Sequence, residues 1–149
     1  MKKFQFHLEK LLSYKGQILD SEMMTLAVLN NQLQQAEEKL LSLQKEQEKC
    51  ITDFENKMKE NTTPAACQLY NSYKLHLKEL IKYSEKEIKN ISAQVDDQIE
   101  IIKKLKLETK SLETIKTSRL DDYKKEDLKT VELQLEEFVS TAKIISKTF

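Results

Sequence analysis

Pro64 is the only proline in a chain of 149 residues, and Gly16 is the only glycine. Nothing else in the sequence restricts the fold as much, because a compact fold with many reversals needs turn residues. The single strong helix breaker sits in KENTTPAACQ, Lys59 to Gln68. Pro64 removes an amide donor and disfavours helix at Thr63. Thr62 or Thr63 can cap a following helix that has Pro64 at its first position. The expectation is two long helices joined by one short turn, an antiparallel αα-hairpin.

The apolar spacing agrees with this reading. Every seventh residue from Leu12 gives Leu12, Leu19, Leu26, Leu33, Leu40, Gln47 and Phe54, all large and apolar except Gln47. A weaker companion seam that shifts sides runs through Leu8, Met23, Leu29, Ala36, Leu43, Ile51 and Met58. After Tyr70 the pattern repeats with Leu77, Ile81, Ile88, Ile91, Val95, Ile102, Leu105 and Leu112, and Ser84, Gln98 and Thr109 fill its gaps. Alternating steps of three and four are the signature of a coiled-coil seam, in which polar positions fix register at some cost in stability. The regular spacing argues against disorder, the other reading of so polar a chain.

The predicted fold is all-α: a two-helix antiparallel coiled coil spanning 1–149. Helix one covers about 4–59, the turn about 60–64, and helix two about 65–147. Folding near residue 62 places Phe54 near Tyr70, Ile51 near Tyr73, Leu33 near Ile91, Leu19 near Leu105 and Leu12 near Leu112. The arms are unequal, roughly 85 Å and 125 Å at 1.5 Å per residue. Beyond Tyr123, helix two overhangs, yet Leu128, Val131, Leu135, Phe138, Ala142 and Ile145 continue the spacing. Left in water that stripe is a sizeable apolar patch. It either frays, self-associates or meets a partner.

Composition excludes several function classes. Lys plus Arg and Asp plus Glu each number 25, so no net charge draws the chain to nucleic acid or an acidic membrane. The basic cluster IIKKLKLETK, Ile101 to Lys110, reads as a solvated helix face. His7, Glu9 and Lys10 interrupt any signal-peptide core near the N-terminus. Met23 to Leu29, the longest apolar run, is too short to span a bilayer. A cytoplasmic protein without direct membrane insertion is expected.

A catalytic role is not expected either. Gly16 alone cannot build a phosphate-cradling loop and reads as a weak spot in helix one, about 1 kcal/mol worse than Ala. His7 and His76 fall far apart along the hairpin, so no metal site or triad forms between them. Cys50 and Cys67 lie about 10 Å apart along the axis, too far for a disulfide. No cofactor is expected. Tyr70, Tyr73 and Tyr83 cluster after the turn, as seam and flank packing or as a partner surface, for which tyrosine is favoured.

KKFQFHLEKLLSYKGQIL opens the chain with an aromatic pair followed by Leu-Glu-x-Leu-Leu. QLQQAEEKLLSL spans Gln32 to Leu43, and SRLDDYKKEDLKTVELQLEEFVSTA follows toward the end of helix two. Together the three stretches resemble the FliJ family of flagellar export proteins: the second is similar to the middle of the family's first helix, and the third to its C-terminal signature. The resemblance runs nearly end to end. It implies a non-enzymatic stalk and adaptor, similar in shape to the stalk of rotary ATPases, that links the hexameric export ATPase to the cytoplasmic domain of the export gate. It also implies help in recycling the chaperones of export substrates, and a place at the cytoplasmic face of the inner membrane. Carried over residue by residue, the gate-facing stripe falls on Leu43, Glu46 and Cys50 of helix one and on Tyr73, Leu77, Leu80 and Ser84 of helix two. Glu46 and Cys50 stand where relatives often carry aromatics, and Leu77 also serves the seam. The part toward the termini is implied to face the ATPase, which assigns Leu8, Leu11, Leu128, Val131, Leu135, Phe138, Ala142 and Ile145 to that contact, with Phe138 its best single anchor. The alternatives are the analogous stalk of a virulence type III secretion system and a generic coiled-coil holdase. Gene neighbourhood separates the first two, and a prefoldin-like holdase needs a β-segment that ENTTPAAC is too short to supply.

Overall fold

The computed structural model describes residues 3–148; residues 1, 2 and 149, at the limits of the expected 1–149 hairpin, lie outside the described part. Two helices account for most of it: α1, Glu9–Lys59, and α2, Pro64–Thr148. No strand occurs among the described residues.

The joint is built by capping. Glu60 N–H donates to Lys57 O at 3.1 Å, and Asn61 then takes φ 68°, the left-handed conformation that closes many helices. Glycine is the usual residue there, but Asn tolerates that region better than most side chains. Of the two candidate caps the fold uses Thr63, whose hydroxyl oxygen accepts from Ala66 N–H at 3.3 Å. Its carbonyl takes the first helical bond from Cys67 N–H at 3.2 Å. Thr62 is half-buried and sits between two sulfurs, 3.8 Å from Met58 Sδ and 3.6 Å from Cys67 Sγ.

The chain divides into two compact units. The first, Ser21–Ile102, holds the turn and most of the seam. Its cross-helix pairs run in opposite directions along the two helices: Phe54 with Tyr70, Glu46 with Tyr73, Glu22 with Gln98. The helices are therefore antiparallel, and the predicted Phe54–Tyr70 pair forms as a stack with ring centroids 3.8 Å apart and planes 10° apart. Leu77, Ser84, Val95, Gln98 and Ile102 are buried, with Ile81, Ile88 and Ile91 half-buried between them. These are the positions at which the heptad spacing placed the α2 seam. Buried Gln98 donates to the Glu22 backbone carbonyl at 2.9 Å and to the Glu22 carboxylate, so this polar layer is paired.

On α1 the main seam from Leu26 to Phe54 is half-buried as expected, but the companion seam differs. Met23, Ile51 and Met58 are exposed, and Glu22 and Cys50 are half-buried instead. Leu29, Ala36 and Leu43 fix the companion row, and a strict step of seven from them reaches Glu22 and Cys50. Following hydrophobicity alone moved the row one residue aside at each end. Tyr73 accordingly meets Glu46 and leaves Ile51 facing solvent.

The second unit comprises the described parts of Met1–Asp20 and Lys103–Phe149. Its pairs are also antiparallel: Lys15 with Glu108 at 2.8 Å, Glu9 with Lys116 at 2.8 Å, His7 with Arg119 and Phe4 with Tyr123. The first helix was expected from about residue 4, but α1 starts at Glu9, whose N–H bonds Phe6 O at 3.0 Å. On a helix, Phe4 and Phe6 would point about 200° apart. Left non-helical, both turn inward: Phe6 is only 7% exposed, and the half-buried Phe4 places its ring 5.6 Å from that of Tyr123. Burying two aromatic rings outweighs one extra turn at a fraying helix end. Gly16 has nothing within 4 Å of where a Cβ would sit, so it is not a point of close approach.

Candidate partner-binding surfaces

Two apolar surfaces stand out on a chain whose buried set is thin. The first lies beside the turn. A cleft of about 750 Å³ is lined by residues including Glu46, Cys50 and Phe54 of α1 and Leu69, Tyr70, Tyr73 and His76 of α2. The Phe54–Tyr70 stack is an apolar element of its lining. At its edge the Tyr73 hydroxyl donates to Glu46 Oε1 at 2.6 Å, a short charge-assisted bond. That bond pushes the Tyr73 phenol above its usual value, because the donating form is the protonated one. Desolvation raises the Tyr70 phenol, with the neighbouring Cys50 adding to it.

The implied gate stripe divides here. Glu46, Tyr73 and Leu80 are exposed, Tyr73 at 41%. Leu43 and Cys50 are half-buried in the α1 seam. Leu77 and Ser84 are 2% and 1% exposed, so neither offers surface to a partner while the hairpin is closed. Leu77 and Ser84 belong to the seam row, as the spacing had it for both, and the exposed row lies one residue earlier. That row is Leu69, Tyr73, His76, Leu80 and Tyr83, all exposed. Its steps of four and three were visible in the sequence, but the stronger neighbouring row hid them.

The second surface is the α2 overhang. Leu128, Leu135, Phe138, Ala142 and Ile145 are exposed, Phe138 at 72%, and only Val131 is half-buried. Val139, beside the predicted stripe, is exposed as well and widens the face, whereas the exposed Leu133 and Ile144 lie on the opposite side of the helix. Near the other end of the chain, Leu8 is half-buried and Leu11 is exposed on the first turn of α1.

Among the described residues no group of three His, Cys, Asp or Glu could hold a metal ion. Cys50 and Cys67 are free thiols. No helix among the described residues is long and apolar enough to cross a membrane.

Comparison with known proteins gives one match. The family model described as flagellar FliJ protein covers residues 4–144. No curated protein and no solved structure matches the chain.

Proposed function

The chain belongs to the flagellar FliJ family, and on that premise we propose that it is a non-enzymatic stalk and adaptor of the flagellar type III export apparatus. In this reading the α2 overhang docks on the hexameric export ATPase, while the face beside the turn meets the cytoplasmic domain of the export gate. Recycling of export-substrate chaperones and a peripheral place at the cytoplasmic face of the inner membrane belong to the same proposal. The gate contact is carried by Glu46 and the exposed row Leu69, Tyr73, His76, Leu80 and Tyr83, in place of Leu77 and Ser84.

The observation that supports it most is the seam stripe of α2. It continues for several turns past Tyr123, the last α2 residue paired with the N-terminal segment among the described residues, as a row of mostly exposed apolar side chains. Apolar anchors at steps of three and four are what a helix-in-groove contact requires, and an exposed aromatic such as Phe138 is the kind of residue that dominates interface energy. A patch of this size on a soluble chain marks an interaction site.

The test is truncation after Lys124 combined with Phe138→Ala in the full chain. Truncation should leave the helicity per residue and the melting of the hairpin intact while abolishing binding to purified export ATPase in titration calorimetry. Phe138→Ala should weaken binding without loss of helix. The intact chain should hydrolyse no ATP itself and should raise turnover by the ATPase. Unchanged affinity of the truncated chain refutes the docking assignment, and unchanged turnover at saturation refutes the stalk mechanism.

A further inference from the structure

The docking stripe on α2 has a covered end. Lys116, Leu120, Tyr123, Asp127 and Val131 are half-buried along one face, and Leu135 and Phe138 carry the face on, exposed. Only its beginning lies beside α1, where Glu9 pairs with Lys116. Further along α2, residues of the non-helical segment 4–8 lie against Arg119 and Tyr123. Arg119 donates to His7 Nδ1 at 2.6 Å, and Phe4 packs on Tyr123 with its ring tilted at 49°. The described part of the segment therefore lies as a strap over this part of the stripe.

The strap is built to come off more easily than a helix would. It has no helical hydrogen-bond ladder, and segments with few backbone bonds open at low free energy. Its tie to Arg119 is exposed to water, where such contacts contribute little. The stripe beneath is the same row that the overhang presents. Tyr123 lies eight residues from Val131, about 12 Å along the helix. A partner seated on Phe138 and Val131 that follows the row meets Phe4 within that distance.

We infer that the strap and the export ATPase compete for one surface: the strap masks the stripe around Arg119 and Tyr123, and docking displaces it. The inference rests on the ATPase reading of the overhang. A closed strap lowers apparent affinity by the fraction of molecules in which the stripe is free. His7 and Phe4 thereby gain a role in setting how readily the stalk engages, without touching the ATPase.

Two variants test it by titration calorimetry against purified export ATPase. In Phe4→Ala/Phe6→Ala the strap is loosened; in Phe4→Cys/Tyr123→Cys, made with Cys50→Ser and Cys67→Ser, a short bis-maleimide tethers it. Circular dichroism confirms helicity in both. The loosened chain should bind at least about threefold tighter, as when the competent fraction rises from a third or less toward one. The tethered chain should bind at least about tenfold weaker than its untethered form, as when the competent fraction falls below a tenth. Loosened binding that is unchanged or weaker overturns the inference, as does indifference to the tether. If the unmodified chain binds and both variants bind equally well, the strap inference alone falls. If the unmodified chain does not bind, the docking assignment falls and the inference falls with it.

Discussion

Ser84 offers the sharpest test of the hairpin seam. It is 1% exposed, and its hydroxyl oxygen has no hydrogen-bond partner among the described residues. A buried hydroxyl left without a partner costs about 1–3 kcal/mol. Ser84→Ala removes that cost and keeps the shape of the side chain apart from one oxygen. Alanine also gains about 0.5 kcal/mol over serine in a helix interior. The void left by the oxygen is smaller than a methyl group and costs less than about 1 kcal/mol. The net expectation is a variant more stable by about 1–2 kcal/mol. For a chain of this length that raises the melting temperature by roughly 3–6 °C. Urea unfolding followed by circular dichroism should show a higher midpoint at unchanged slope, the mark of a pure stability gain. Leu77→Ala, 2% exposed in the same seam, should lose about 2–4 kcal/mol in the same assay. Because the Ser84 side chain is not on the surface, Ser84→Ala should bind the gate domain as the unmodified chain does. A loss of stability on Ser84→Ala would mean that the hydroxyl is paired in solution. A loss of gate binding at unchanged or raised stability would put Ser84 on the surface and refute the seam register.

Two further outcomes are expected. Cysteines placed by Leu33→Cys and Ile91→Cys in a chain without Cys50 and Cys67 should crosslink within one chain, whereas crosslinking between two copies at position 33 alone would mean a parallel dimer. The Tyr73–Glu46 bond raises the Tyr73 phenol, so its contribution to stability is present below the ordinary tyrosine value near 10 and is lost as pH rises through the higher folded value; Tyr73→Phe should remove that alkaline loss, and Tyr73→Ala should weaken gate binding more than it lowers melting, with equal falls in both assigning Tyr73 to packing alone.

The fold was legible because so little competes with the heptad. With one glycine and one proline, the chain has a single place to reverse. Once Pro64 fixes that place, Phe54 and Tyr70 must meet, and they stack. The α2 row from Leu77 to Leu112 kept its spacing without interruption, so even the polar Ser84, Gln98 and Thr109 were placed correctly in the seam. The α1 companion row was misread where geometry and hydrophobicity disagree. A seam is a line on a helix, and Glu22 lies on it whereas Met23 does not, however apolar Met23 is. Of the carried-over gate residues, Leu77 and Ser84 are on the line of the α2 seam and are buried, whereas Tyr73 and Leu80 lie beside it with Leu69, His76 and Tyr83 and are exposed.

The strap was not legible, and its invisibility follows from how the seam was read. The leading residues Phe4, Phe6 and Leu8 are each two apart, a period that belongs to extended chain and not to helix. Over so few residues that signal is weak against the heptad that begins at Leu12, and extending the helix backward absorbs Leu8 at no apparent cost. What decides the matter is the partner surface, not the local sequence: α2 extends far enough to offer Tyr123 and Arg119 beyond the start of α1. A segment that can reach an existing apolar face with two rings gains more by leaving the helix than by lengthening it. The unequal arms of the hairpin therefore account for both features near its termini. The surplus length of α2 supplies the face that the strap covers around Arg119 and Tyr123, and the same face, exposed at Leu135 and Phe138, is the part left open to a partner.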